Sequence, residues 1–263
     1  MPETEARGVT SSLEATIRSR LENRDILLMT HIVLGYPSFE ASIEIVDVMV
    51  EAGVDLVELQ IPFSEPIADG PVILHANQKA LAAGSKVARC FEVARELSGR
   101  HPIPFLFMSY YNIVFQHGLA AFASDTASAG LAGAIIPDLP YEEGQELLDI
   151  MERERLDPIF IFSPNTSDAR MAEIAKRARG FIYCVARKGV TGAETDFAAL
   201  GGYLARCRAT TSLPLALGFG VKDASDVAAL EGLADIAVVG SETIRIIDEQ
   251  GVEGVKPFIQ SLR

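Results

Sequence analysis

Two acidic side chains, Glu58 and Asp69, stand eleven positions apart where an apolar run meets a proline-rich loop. The stretch reads Leu56-Val57-Glu58-Leu59-Gln60-Ile61-Pro62-Phe63-Ser64-Glu65-Pro66-Ile67-Ala68-Asp69-Gly70-Pro71. Its first half has the character of a buried strand. Side chains alternate along a strand, so Val57, Leu59 and Ile61 share one face and Leu56, Glu58 and Gln60 the other. A carboxylate in a dry interior is costly unless it has partners, so a purely structural strand seldom carries one. Pro62, Pro66 and Pro71 lack the donor that a helix or strand interior needs, which makes the following segment a stiff loop. One acid at a strand end and another on the next loop can perform general acid–base chemistry. Glu58 has a plainer reading as a hydrogen-bonded structural carboxylate, but Asp69 nearby and the glycine loops below favour a catalytic role. Glu65 is open to two readings, a solvated loop residue or a contact to a partner.

Three glycine clusters add a second kind of chemistry: Lys188-Gly189-Val190-Thr191-Gly192-Ala193, Gly218-Phe219-Gly220 and Gly240-Ser241. Glycine lets backbone N–H groups approach a ligand, and a helix start adds free donors with a favourable dipole. One such cluster is readily explained as a tight turn. Three at successive strand ends fit a phosphate cradle better. Tyr110, Tyr111 and Asn112 are expected to end a third strand, Asp138 a fourth, and Tyr183 to lie in a sixth. Each is explained by packing, and the aromatics also suit the wall of a flat apolar ligand. His31 reads as a buried, hydrogen-bonded histidine rather than a base. His75, His101 and His117 lack metal-ligand spacing, so no metal is expected. Ser163-Pro164-Asn165 has no nearby base for nucleophilic catalysis.

These residues need a frame that brings strand ends together. Ser11 or Ser12 can cap a helix to about Asn23, with Leu13, Ile17 and Leu21 on one face. Strands are expected at 27–34, 56–61, 103–109, 133–136, 158–162, 180–185, 213–217 and 236–239. Helices are expected at 38–52, at 72–97 with an interruption at Gly84, and at 119–129, 142–155, 168–177, 196–208 and 224–231, with helical sequence to the end. Strict alternation predicts a parallel sheet with helical crossovers. Eight units in 263 residues predict an α/β fold, a single (β/α)8 TIM barrel over residues 1–263 with an extra N-terminal helix.

Composition narrows the classes further. The chain is 49% hydrophobic, ample for a continuous core, and its formal net charge is −13. That charge argues against nucleic-acid and anionic-membrane binding but leaves room for an anionic substrate held by backbone N–H groups. The three cysteines, Cys90, Cys184 and Cys207, show neither disulfide nor zinc spacing and fit a reducing compartment. No apolar run approaches the roughly 18 residues of a membrane span. The polar N-terminus is no secretory signal, so a cytoplasmic location is expected.

The motif from Glu58 to Pro71 and the run Gly189-Val190-Thr191-Gly192-Ala193-Glu194 are specific, and Gly218-Phe219-Gly220 and Gly240-Ser241 follow in order and spacing. On these residues the sequence resembles the tryptophan synthase alpha chain family from about Ser12 onward. The resemblance implies a lyase of tryptophan biosynthesis that cleaves indole-3-glycerol phosphate to indole and glyceraldehyde 3-phosphate by a retro-aldol reaction. It implies that Glu58 protonates indole C3 and takes the glycerol hydroxyl proton, and that Asp69 holds the indole N–H. It assigns the phosphate to Gly192, Gly220, Gly240 and Ser241, with Gly218 shaping the loop. It maps the indole pocket onto Met108, Ile135, Ile161, Tyr183 and Phe219. It implies no cofactor in this chain and an α2β2 assembly, with pyridoxal phosphate in the beta chain and the loop around Glu65 facing that chain. Three positions depart from the family pattern: Gln60 replaces a usual glycine, Glu65 a usual aspartate, and His31 a common apolar aromatic. Two other functions remain open at this stage, a phosphate-binding barrel isomerase and a subunit that mainly activates its partner.

Overall fold

Eight parallel strands pair in chain order and close on themselves, β8 returning to β1. The computed structural model describes residues 11–185, 197–218 and 220–263. The strands are β1 (Leu27–Val33), β2 (Leu56–Gln60), β3 (Phe105–Met108), β4 (Gly133–Ile135), β5 (Asp157–Phe162), β6 (Ile182–Val185), β7 (Leu215–Gly218) and β8 (Ile236–Val239). Helices cover the barrel: α1 (Ser12–Leu21), α2 (Phe39–Glu51), α3 (Pro71–Ala82), α4 (Val87–Arg100), α5 (Tyr111–His117), α6 (Leu119–Ser128), α7 (Gln145–Arg153), α8 (Asp168–Ala175), α9 (Phe197–Thr210), α10 (Ala224–Ala228), α11 (Ser241–Gln250) and α12 (Val255–Ser261). This is the closed (β/α)8 barrel expected from the alternation.

Strand alternation divides the core in two. Val57, Leu59 and Ile61 point outward into the layer shared with the helices. Leu56 points inward with Met29, Leu106, Ile159, Ala216 and Ile236, so the barrel is filled rather than hollow. Helix α1 seals one end. Ser11 caps it by accepting from the Glu14 N–H, and its Leu13 and Ile17 join the inner core. Burying two such side chains contributes about 1.5–3 kcal/mol each. At the same end, buried Asp55 just before β2 accepts the Leu28 N–H at 3.0 Å and pairs with Arg24 at 2.6 Å, Arg263 at 2.7 Å and Arg20 at 3.3 Å.

One expectation needs correction. Tyr110, Tyr111 and Asn112 do not end β3, which stops at Met108. Tyr110 is instead the N-cap residue of α5. The aromatic and β-branched run there suits a strand locally. A long-range contact decides otherwise: Asp138, in the loop after β4, accepts the Tyr111 N–H at 2.8 Å and satisfies a donor at the helix start.

Candidate functional site

Glu58 lies in β2 with its side chain turned into the barrel, 3% exposed, directly across from His31 in the β1–β2 register. His31 Nδ1 is 3.1 Å from Glu58 Oε1. Two residues on, Gln60 shares that inner face and is wholly buried. Its Nε2 donates to Asp69 Oδ2 at 2.6 Å, joining the end of β2 to the loop that leaves it. The Tyr110 hydroxyl donates to the same Asp69 oxygen at 3.1 Å and accepts the Ala68 N–H at 3.1 Å.

The proline loop is held by more than its own stiffness. Phe63 stacks on Tyr110 with centroids 5.1 Å apart, and the Phe63 N–H donates to Asn77 Oδ1 on α3 at 2.9 Å. Ring stacking, two hydrogen bonds from loop N–H groups and the Asp69 contacts thus fix where this acid stands. Glu65 and Ile67, on the outer turn of the loop, are exposed, Ile67 at 81%.

Glu58, Asp69, Met108, Ile135, Ile161, Tyr183, Gly218, Gly220, Gly240 and Ser241 line one cavity of about 200 Å³ at the carboxyl ends of the strands. His31, Ala68, Gly70, Ile73, Pro137, Val185 and Val238 complete its wall. Gly192 and Phe219 lie outside the described residues. A larger groove, of about 630 Å³, sits at the opposite end, between α1 and the α7–α8 region, away from these acids and glycines.

The cavity divides chemically. Met108, Ile135 and Ile161 form an apolar wall, and Tyr183 lies against Gly218. A Cβ on Gly218 would stand 3.0 Å from Tyr183 Cε1, so the bare backbone is what admits the ring. Gly240 precedes α11, which has no side-chain cap. The first N–H groups of a helix have no intrahelical acceptor, and at Ser241 they open on the cavity beside Gly220, whose φ is +75°. An anion therefore has a cradle within the same small space as two carboxyl groups.

Burial sets the electrostatics. It raises the Asp69 pKa above 3.8, opposed by His31 and by the hydrogen bonds from Gln60 and Tyr110, and reinforced by Glu58. Burial acts to lower the His31 pKa, but Glu58, Asp69 and Gln60 together outweigh it and carry the imidazole above 6.5. Burial, then the charges of Glu58 and Asp69, hold the Tyr183 phenol far above 10, so it stays neutral. The His31 contact matches its reading as a buried partnered histidine. The Gln60 and Tyr110 bonds to Asp69 had no local signal, because each joins residues brought together by the bend of the loop.

The comparisons with known proteins bear on this geometry. The family model for the tryptophan synthase alpha chain matches residues 17–260. A tryptophan synthase alpha chain from Desulforapulum autotrophicum is 63% identical over 251 residues, covering 95% of this chain and 99% of that protein. The chain belongs to the tryptophan synthase alpha chain family. Another member, from Syntrophotalea carbinolica, is 61% identical over 252 residues, covering 95% of this chain and all of that protein. Among solved structures, a chain of Mycobacterium tuberculosis tryptophan synthase superposes with a TM-score of 0.90 at 32% identity, covering 97% of both chains. The alpha subunit from Legionella pneumophila gives 0.88 at 30% identity, covering 97% of both. Membership makes the protein a lyase of tryptophan biosynthesis that cleaves indole-3-glycerol phosphate. No described helix is long and apolar enough to cross a membrane.

Proposed function

We propose that Glu58 and Asp69 carry the cleavage and that the glycine cradle holds the substrate phosphate. Breaking the bond between indole C3 and the carbinol carbon requires the ring to accept the bond's electrons. Protonation at C3 makes it able to do so. Glu58 delivers that proton, and its carboxylate then takes the proton of the carbinol hydroxyl as the aldehyde forms. Asp69 holds the indole N–H and stabilises the positive charge that protonation places on the ring. The phosphate sits on Gly220, Gly240 and Ser241, with Gly192 from beyond the described residues, and Gly218 shapes the loop. The indole lies among Met108, Ile135, Ile161 and Tyr183; the family resemblance assigns Phe219, outside the described residues, to the same pocket. No cofactor in this chain is needed for these steps.

The supporting observation is the shared cavity: both acids, the apolar wall and the start of α11 border a space suited to one small molecule. A beta chain is the proposed partner, in an α2β2 assembly, carrying the pyridoxal phosphate and receiving indole. The exposed side chains of Ile67 and Phe115 (81% and 61%) beside Glu65 and on α5 supply apolar surface for that docking. Replacing Glu58→Gln tests the reading. Indole release should fall by at least about a hundredfold while circular dichroism shows the fold retained. Wild-type turnover in this variant overturns the role of Glu58, and a wild-type chain that forms no indole with or without a beta chain overturns the whole assignment.

A further inference from the structure

Between the two acids lies a short polar bridge that the roles above leave unused. His31 Nδ1 meets Glu58 Oε1 at 3.1 Å, and Gln60 Nε2 donates to Asp69 Oδ2 at 2.6 Å. Three atoms of this group are buried without a hydrogen-bond partner: His31 Nε2, Glu58 Oε2 and Gln60 Oε1. Unpartnered buried polar atoms are costly in a structural core and call for an explanation.

We propose that His31 is a positioning residue that stores the proton Glu58 delivers, held in that state by Gln60. The inference rests on the acid–base role given to Glu58.

The orientation of Gln60 is decided by Asp69. A carboxylate cannot donate, so the amide must turn its NH2 to Asp69. The amide oxygen is then left as a buried acceptor, and the Gln60 side chain is among the groups that favour the protonated imidazole. Glu58 at Nδ1 and the Gln60 side chain thus both favour the imidazolium. The charged groups that face it are Glu58 and Asp69, from β2 and its loop. The other described residues of the cavity wall, Val238, Gly240, Ile73, Ser241 and Tyr183 among them, carry no charge. No described basic side chain lines the cavity to compete.

A general acid is useless once its proton is lost to solvent. A carboxyl group alone surrenders its proton as pH rises, whereas a coupled pair keeps one proton between its members over a wider range. The proton passes from Nδ1 to Oε1, leaving neutral imidazole and a carboxylic acid. Glu58 gives that proton to indole C3, forming the C3–H bond. The bond from C3 to the carbinol carbon then breaks, its electrons restoring the ring. The hydroxyl proton goes to the Glu58 carboxylate and back to His31. One proton enters the substrate, one leaves, and the pair ends as it began.

The test measures indole formation from indole-3-glycerol phosphate against pH, with the beta chain present, for the wild-type chain and His31→Asn. Asparagine keeps an amide donor close to the place of Nδ1 but has no proton to lend. The alkaline limb of kcat should move to lower pH, with kcat at pH 8 down about tenfold and KM within about twofold of wild type. An unchanged profile overturns the proposal. The titration of His31 in the wild-type chain, followed by NMR of ring-labelled histidine, is the second readout and needs no variant to fold. His31 should titrate above 6.5 and move down in Glu58→Gln and in Gln60→Leu. Titration at or below 6.5, or no movement in either variant, also overturns it. If the wild-type chain forms no indole, the functional assignment fails, and the NMR titration still decides whether the bridge holds a proton.

Discussion

Gln60 and Asp69 are nine residues apart, yet the amide of one meets the carboxylate of the other at 2.6 Å, closing the bend between β2 and its loop. This contact converts a loop acid into a fixed acid. It also ties the position of Asp69 to a strand whose next inward residue is Glu58. The two carboxyl groups are thereby mounted on one rigid segment, as a site requires if both are to engage the same ring.

Tyr110 holds Asp69 from the other side, so Tyr110→Phe should loosen the loop without touching the strand. Its hydroxyl helps to keep the raised Asp69 pKa in check. With that bond gone, burial pushes the carboxyl further up. If the Asp69 carboxylate binds the indole N–H, the acid limb of kcat/KM should move to higher pH. Steady-state kinetics between about pH 5 and 9 would reveal this, and an acid limb that stays in place would count against Asp69 as the group responsible.

Gly218 should be intolerant of a methyl group for a reason specific to Tyr183. In Gly218→Ala the new Cβ would lie 3.0 Å from Cε1 and 3.1 Å from the hydroxyl of that ring. The ring must move into the space assigned to indole. KM for indole-3-glycerol phosphate should rise about tenfold, equivalent to roughly 1.4 kcal/mol. Fluorescence titration with an indole-phosphate analogue checks the binding term directly, and unaltered affinity would show that the pocket lies elsewhere.

Asp157 offers a pH dependence of stability unrelated to catalysis. It starts β5, and burial pushes its carboxyl up to about 6 from 3.8, with Oδ2 unpartnered. A carboxyl raised in the fold stabilises below its unfolded pKa and loses that contribution as pH rises through the folded value. Above about 6 the buried charge is therefore a burden. Asp157→Asn should be more stable than wild type at pH 8, by about 2 kcal/mol after allowance for solvent screening. The gap should close near pH 4. Thermal melts at both pH values test this, and an equal gap at both would contradict it.

Asp55 should behave in the opposite way, as a group the fold cannot spare. Asp55→Ala leaves the Leu28 N–H and three arginines without their common acceptor. The expected cost is about 3–5 kcal/mol. Urea unfolding measures it, and a loss below about 1 kcal/mol would mean that water replaces the carboxylate.

The barrel and its two acids were legible because they depend on local pattern. Strand alternation put Glu58 and Gln60 on one face and Leu59 on the other, and regular βα spacing specified eight units; closure of the barrel decided which face is the inner one. The placing of Gly218, Gly220 and Gly240 at strand ends was legible for the same reason, and they line the cavity; the glycine run at 189–192 lies outside the described residues. The helix at Tyr111 was misread because its start is satisfied by Asp138 from another loop, and propensity carries no trace of such a contact. Glu58 and Asp69 could be named from the chain alone. Their partners His31, Gln60 and Tyr110 could be assigned only once two strands, the start of α5 and a bent loop stood side by side, because hydrogen bonds are decided by distances of a few ångströms across residues apart in sequence.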